Sequence, residues 1–79
     1  MEYILNVLNQ IKWDIRLRAS DFTIVYADRL EDRFVEIPYS SIKRIDGSFI
    51  VINTLNEEAF IPLHRIRGIK QQGKVIWKR

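Results

Sequence analysis

The chain of 79 residues has no cysteine, one histidine, and only 3 glycines and 2 prolines. Without cysteine there is no disulfide staple, no thiolate metal site and no thiol nucleophile. One histidine cannot supply the pair that acid–base cleavage of RNA would use, nor a His/Cys zinc site. There is no glycine-rich phosphate loop and no G-x-S-x-G turn. Carboxylate pairs occur at Asp28/Asp32 and Glu57/Glu58. They fall at turns, where acids are expected on conformational grounds. No cofactor and no metal site is implied, although an Asp-plus-Mg²⁺ site at these acids stays open. No apolar run approaches the roughly 20 residues of a membrane span. Met1-Glu2-Tyr3 lacks the positive start of a signal segment. The expectation is a cytoplasmic protein that does not enter a membrane.

Acid is also missing, but only locally. Residues 1–58 carry all ten acids and seven Lys/Arg, whereas residues 59–79 carry six Lys/Arg and no acid. The first part is therefore net −3 and the second net +6. Such a block sets up a local positive field in a chain whose overall charge is only +3. It suits a solvated edge that resists strand-to-strand aggregation, and equally a footprint for a polyanion.

What is present is ordinary globular material, 47% apolar. The length allows a single domain, 1–79, of a size that buries only about 60% of its unfolded surface. Residues 2–12 read as a helix with Ile4, Leu5, Leu8 and Ile11 on one stripe and Glu2 in its first turn. Trp13 and Asp14 mark its exit. Phe22–Ala27, apolar on both faces, reads as a central strand. Asp28-Arg29-Leu30-Glu31-Asp32 is a charged turn before a strand at Phe34–Ile37. Ile42–Ile45 and Phe49–Ile52 flank Asp46-Gly47, a hairpin signal. Glu57–Ile61 is a further strand, and residues 65–70 and 74–77 flank a turn ending in Gly73. The expected fold is α+β: an N-terminal helix packed on a small, strongly bent antiparallel sheet or partial barrel.

The second half echoes itself at an offset of 24. Ile37-Pro38 matches Ile61-Pro62, Ile42 matches Ile66, Ile45 matches Ile69, Val51-Ile52 matches Val75-Ile76, and Lys43 corresponds to Arg67 in charge. Each copy reads as a strand, a proline closing its ladder, one tight turn and a hairpin. The turns themselves differ. Tyr39-Ser40-Ser41 becomes Leu63-His64-Arg65. Serine is a natural turn residue, so the frame accounts for Ser40 and Ser41 but not for His64 and Arg65. Arginine offers a planar fork matched to phosphate oxygens, and imidazole adds a further donor. Asp28-Arg29 is a second cluster, just past a strand end, in which Asp28 would orient Arg29 or Arg65. Of the aromatics, Trp13 is assigned to the core. Tyr26, Tyr39 and Trp77 are compatible with core or with stacking on unpaired bases. Lys74, Lys78 and Arg79 surround Trp77.

These segments resemble a known family, the small, largely archaeal domain associated with recognition of cyclic-phosphate ends of RNA and long carried as an uncharacterised conserved protein. Leu5-Asn6 with Trp13-Asp14 is similar to the family's opening. Tyr26-Ala27-Asp28-Arg29 resembles its first-strand ending. Ile61-Pro62-Leu63-His64-Arg65-Ile66 is similar to its most distinctive element, and Gly73-Lys74-Val75-Ile76-Trp77-Lys78-Arg79 to its close. The turn at residues 31–34 departs from the pattern in lacking a glycine. The resemblance implies an RNA-binding module for phosphate-bearing ends in RNA processing or repair, with RNA and an RNA-processing enzyme as partners. Arg29, His64 and Arg65 would hold the phosphate, with Asp28 orienting them. Lys70, Lys74, Lys78 and Arg79 would attract the backbone beside Trp77. The rival readings are a small RNA phosphodiesterase using His64 and a protein-interaction module with a basic edge. A binding module stands ahead of an enzyme.

Overall fold

The structure, a computed structural model, describes residues 3–28, 30, 32–54 and 57–79. Glu2, Arg29 and Glu31 lie outside the described residues.

The helix α1 spans Ile4–Trp13, and its stripe of Ile4, Val7, Leu8 and Ile11 is buried. Leu5 sits at the side of that stripe, half-buried. Asp14 caps the exit, donating its N–H to the Gln10 carbonyl. Its carboxylate takes Arg16 in a fork, with Nε to Oδ1 at 3.0 Å and Nη2 to Oδ2 at 2.9 Å. The Arg16 side-chain and backbone hydrogen bonds lower the Asp14 pKa from 3.8 to about 2. A carboxyl depressed by folding adds stability above its unfolded pKa and loses it as pH falls through the folded one. The expected result is an Asp14 carbon-shift titration centred near pH 2, the value the pair imposes. Arg16→Ala should move that midpoint up towards the ordinary carboxylate range. An unmoved midpoint would show that the fork does not hold the charge.

Among the described residues seven strands follow, forming two antiparallel sheets. They are β1 Phe22–Asp28, β2 Arg33–Pro38, β3 Ile42–Ile45, β4 Phe49–Thr54, β5 Glu57–Pro62, β6 Ile66–Gln71 and β7 Lys74–Lys78. One sheet has the order β2-β1-β6-β7 and the other β3-β4-β5. The expected α+β architecture of an N-terminal helix with antiparallel strands holds, with the strands divided between two sheets, neither closed into a barrel. As its two-sided apolar pattern implies, β1 is central, between β2 and β6.

The echo in the sequence is an echo in space. Each proline ends a strand and opens one turn of 3₁₀ helix that carries the chain from one sheet to the other. Tyr39–Ser41 leads from β2 to β3, and Leu63–Arg65 leads from β5 to β6. Pro38 (φ −68°, ψ 144°) and Pro62 (φ −59°, ψ 142°) nearly superpose in conformation, as do Ile42 and Ile66 at the exits. Both turns bury their first residue, expose the second and half-bury the third. The Tyr39 hydroxyl donates to the Leu8 carbonyl at 2.9 Å, tying the first corner to α1. The Leu63 N–H donates to the Ser48 carbonyl at 3.0 Å, tying the second to the β3–β4 hairpin.

The β6–β7 turn has positive φ at both Gln72 (51°) and Gly73 (83°). That is the conformation of a tight two-residue hairpin, and glycine accepts it without strain. The bulges also repeat. Ile42 faces Ile52 and Arg44 faces Val51, leaving Lys43 as the extra residue of β3. Ile66 faces Tyr26 and Gly68 faces Val25, leaving Arg67 as the extra residue of β6.

The core joins the α1 stripe to both sheets through Ile24, Ile50, Ile52, Ile61, Ile66 and Ile69. Two aromatics sit elsewhere than expected or settle an open choice. Trp13, assigned to the core, is 73% exposed. It is the last residue of α1 and lies off the buried stripe, so its ring meets Lys12 at 5.1 Å instead. Trp77 is buried and belongs to the core.

Candidate nucleic-acid interface

Antiparallel pairing of β1 with β6 sets Tyr26 opposite Ile66. The end of β1 at Asp28 therefore lies beside the corner that ends at Arg65. β5 feeds that corner from the other sheet. A cleft of about 470 Å³ opens at this seam, and Asp28 and Arg65 both line it. Leu30, Phe60 and Pro62 give it apolar walls, and Tyr26 lines it from the sheet. Phe60 is half-exposed and stacks on Phe49 with centroids 5.2 Å apart and planes 7° from parallel.

The Asp28 carboxylate accepts the Leu30 N–H at 2.9 Å, which shapes the chain as it leaves the strand. Arg33 is the cross-strand neighbour of Asp28. Burial pushes the Tyr26 hydroxyl pKa up and the Asp28 carboxylate pushes it further, while Arg33 partly offsets both. Arg65 is half-buried, and its Nε is buried with no hydrogen-bond partner among the described residues. A buried donor without a partner costs about 1–3 kcal/mol, more when charged. Some other cations have carboxylate partners: Arg16 has Asp14, Lys43 has Glu58 and Lys70 has Glu36.

The remaining candidate residues divide by place. His64 is exposed and does not line the cleft. Arg79 braces the same corner, with Nη2 donating to the Leu63 carbonyl at 3.2 Å and its N–H to the Arg67 carbonyl at 3.0 Å. Its guanidinium lies 5.7 Å from the Trp77 ring. Trp77 thus supports Arg79 from the core and offers no open face of its own. Lys70 and Lys78 flank Gly68 on the outer side of the four-stranded sheet. Lys74 faces Gln71, which faces Phe22. It stands at the opposite end of β1 from Asp28, roughly 20 Å away at about 3.3 Å per residue.

Reading along the chain missed Phe60 and Leu30, whose apolar character suggests core, and Arg67, whose place depends on a bulge. Their signal is exposure, which periodicity does not report. Among the described residues no group of His, Asp or Glu is arranged to hold a metal ion. No helix is long and apolar enough to cross a membrane.

Fold and site define a small α+β domain of two open antiparallel sheets with an arginine-bearing cleft at their seam. The chain belongs to the MJ1316 RNA cyclic group end recognition domain family, whose model matches residues 1–79. It is 36% identical over 76 residues to a UPF0248 protein of Metallosphaera sedula, covering 96% of this chain and 91% of that one. It is 34% identical over 79 residues to a UPF0248 protein of Saccharolobus islandicus, covering 96% and 98%. A UPF0248 protein of Saccharolobus solfataricus is 32% identical over 79 residues, covering 96% and 95%. The family is thus present in archaea. No solved structure matches the chain.

Proposed function

We propose that the protein is a binding module for RNA ends that carry a phosphate, the cyclic phosphate above all, and that the seam cleft holds the end. The observation that carries this reading is Arg65. Its half-buried guanidinium lines a cleft with apolar walls, and its Nε has no partner among the described residues. Guanidinium geometry matches phosphate oxygens in pairs, and an anion in the cleft would meet this cation where the walls are otherwise apolar. The terminal ribose and base then lie against Phe60, Pro62 and Leu30, where an unpaired base loses little by leaving water. Asp28 orients the cations. Arg29 and His64 flank the cleft-lining residues Asp28 and Arg65 in the chain and are the further donors of this reading. The family's name is that of RNA cyclic group end recognition, and it agrees with the chemistry.

The test is a titration of the protein with two short RNAs of one sequence, one ending in a 2′,3′-cyclic phosphate and one in a hydroxyl. The cyclic end should bind more tightly, by the worth of one charge-assisted hydrogen bond, roughly tenfold or more. Equal affinity for the two ends would overturn the reading. RNA recovered shortened, or with the ring opened, would favour a phosphodiesterase.

A further inference from the structure

The two copies of the strand–corner–hairpin unit differ most on their outer faces. In the first copy the bulged residue of β3 is Lys43, and Glu58 of β5 neutralises it. The neighbouring Arg44 also reaches Glu58, at 3.9 Å. One carboxylate thus partly neutralises both cations of that face. Shifting by 24 turns Lys43 into Arg67 and Arg44 into Gly68, while Glu58, itself in the second copy, corresponds to Phe34 of the first. The bulge is kept but the ion pair is not. Arg67 and Phe34 line one shallow hollow of about 180 Å³. Arg67 forms no ion pair with another described residue.

Nothing in the frame demands these changes. Gly68 has ordinary negative φ, and a Cβ there would meet only the Trp77 carbonyl at 3.4 Å and two side-chain carbons at 4.0 Å. Glycine inside a strand costs stability and often marks a close approach by a ligand. Here it leaves a bare floor between Val25 and Lys78. Phe34 is 68% exposed and Val75 51% exposed, at opposite sides of that floor. Lys78 and Arg67 line the hollow, as does Lys70, which Glu36 partly neutralises at 3.0 Å. An open sheet face with an exposed ring and unneutralised cations suits unpaired bases and their phosphates.

We propose that this outer face of the four-stranded sheet is a second subsite, which binds the body of a single-stranded RNA with a base stacked on Phe34 and phosphates on Arg67 and Lys78. The proposal rests on RNA being the partner, and it is separate from the end-binding cleft. A third hollow joins the two, lined by Asp28 at the cleft side, by Phe34 and Arg67 at the sheet side, and by Asp32 and Arg33 between. A strand held at its end in the cleft would reach the face by way of this hollow.

The experiment titrates the protein and its variants with short single-stranded RNA ending in a hydroxyl, the same RNA ending in a cyclic phosphate, and a blunt duplex. Phe34→Ala should melt like the parent and bind both single strands roughly tenfold more weakly, leaving the preference between ends unchanged. Phe34→Tyr should bind as the parent does, because the π face remains. Arg67→Ala with Lys78→Ala should flatten the log–log salt dependence by about 0.7 for each phosphate that the variant no longer neutralises. The parent should bind the duplex less well than either strand. Unchanged affinity in Phe34→Ala overturns the proposal. So does a loss confined to the cyclic end, which would assign Phe34 to the cleft, and so does parent protein that binds no RNA. If the parent binds RNA without preferring either end, the end-recognition reading fails while Phe34→Ala still decides this one.

Discussion

Ile66→Ala should cost roughly 2–5 kcal/mol of folding stability, the range for emptying a fully buried aliphatic site. Ile66 is 0% exposed and belongs to the shared core. It pairs with Tyr26 and follows Arg65 directly, so the same residue closes the core and anchors the corner. Total stability in domains of this size is about 5–15 kcal/mol, so the loss takes a large share of it. In a domain of 60–100 residues each kcal/mol moves the melting temperature by about 4–8 °C. A thermal melt should therefore fall by roughly 8 °C or more. The contrast is Ile76→Ala. Ile76 is 45% exposed on β7, and exposed substitutions stay within about 0.5 kcal/mol. Equal losses at the two sites would mean that the core is not where the structure puts it.

His64→Ser with Arg65→Ser should fold normally and lose the preference for a phosphate-bearing end. The first corner already carries serines at the equivalent positions, Ser40 and Ser41, in the same 3₁₀ turn with nearly the same flanking dihedrals. The frame thus accepts serine. Removing the guanidinium also removes a buried donor without a partner, so no folding stability should be lost with it. Binding is another matter. A charge-assisted hydrogen bond to phosphate is worth about 1.5–3 kcal/mol, or about 10- to 150-fold in affinity. The double variant should melt with the parent and bind cyclic-ended and hydroxyl-ended RNA alike. Unfolding would make the corner side chains structural. A retained preference would move the phosphate site away from Arg65. The single variants separate the two residues. Arg65 lines the cleft and should carry most of the loss, whereas exposed His64 should carry less.

The internal repeat shows where sequence and structure part. The offset of 24 residues, the closing prolines and the single tight turns are readable along the chain, because each is a local property of a few residues. Strand order is not. β2 pairs with β1, whereas its counterpart β5 pairs with β4 in the other sheet. Val51 and Ile52 are buried, while their counterparts Val75 and Ile76 are exposed. A register shift between Ile69 and Lys70 turns Trp77 inward in their stead. Side chains alternate faces along a strand, so one extra residue inverts the pattern beyond it. No periodic reading of β7 alone contains that shift.

The sequence by itself determined the class of the protein, its elements and the two turn residues that its own scaffold does not explain. Helical and strand periods, proline, glycine and charge act over a few residues and leave their mark in order along the chain. Only the tertiary structure decided that Asp28 and Arg65 line one cleft, that Trp77 is core and Trp13 is not, and that Arg67, Gly68 and Phe34 share a face. Those arrangements come from pairing between segments far apart in the chain, such as Tyr26 with Ile66. The free energy that selects them is burial of apolar surface, which is non-directional and is summed over the whole core.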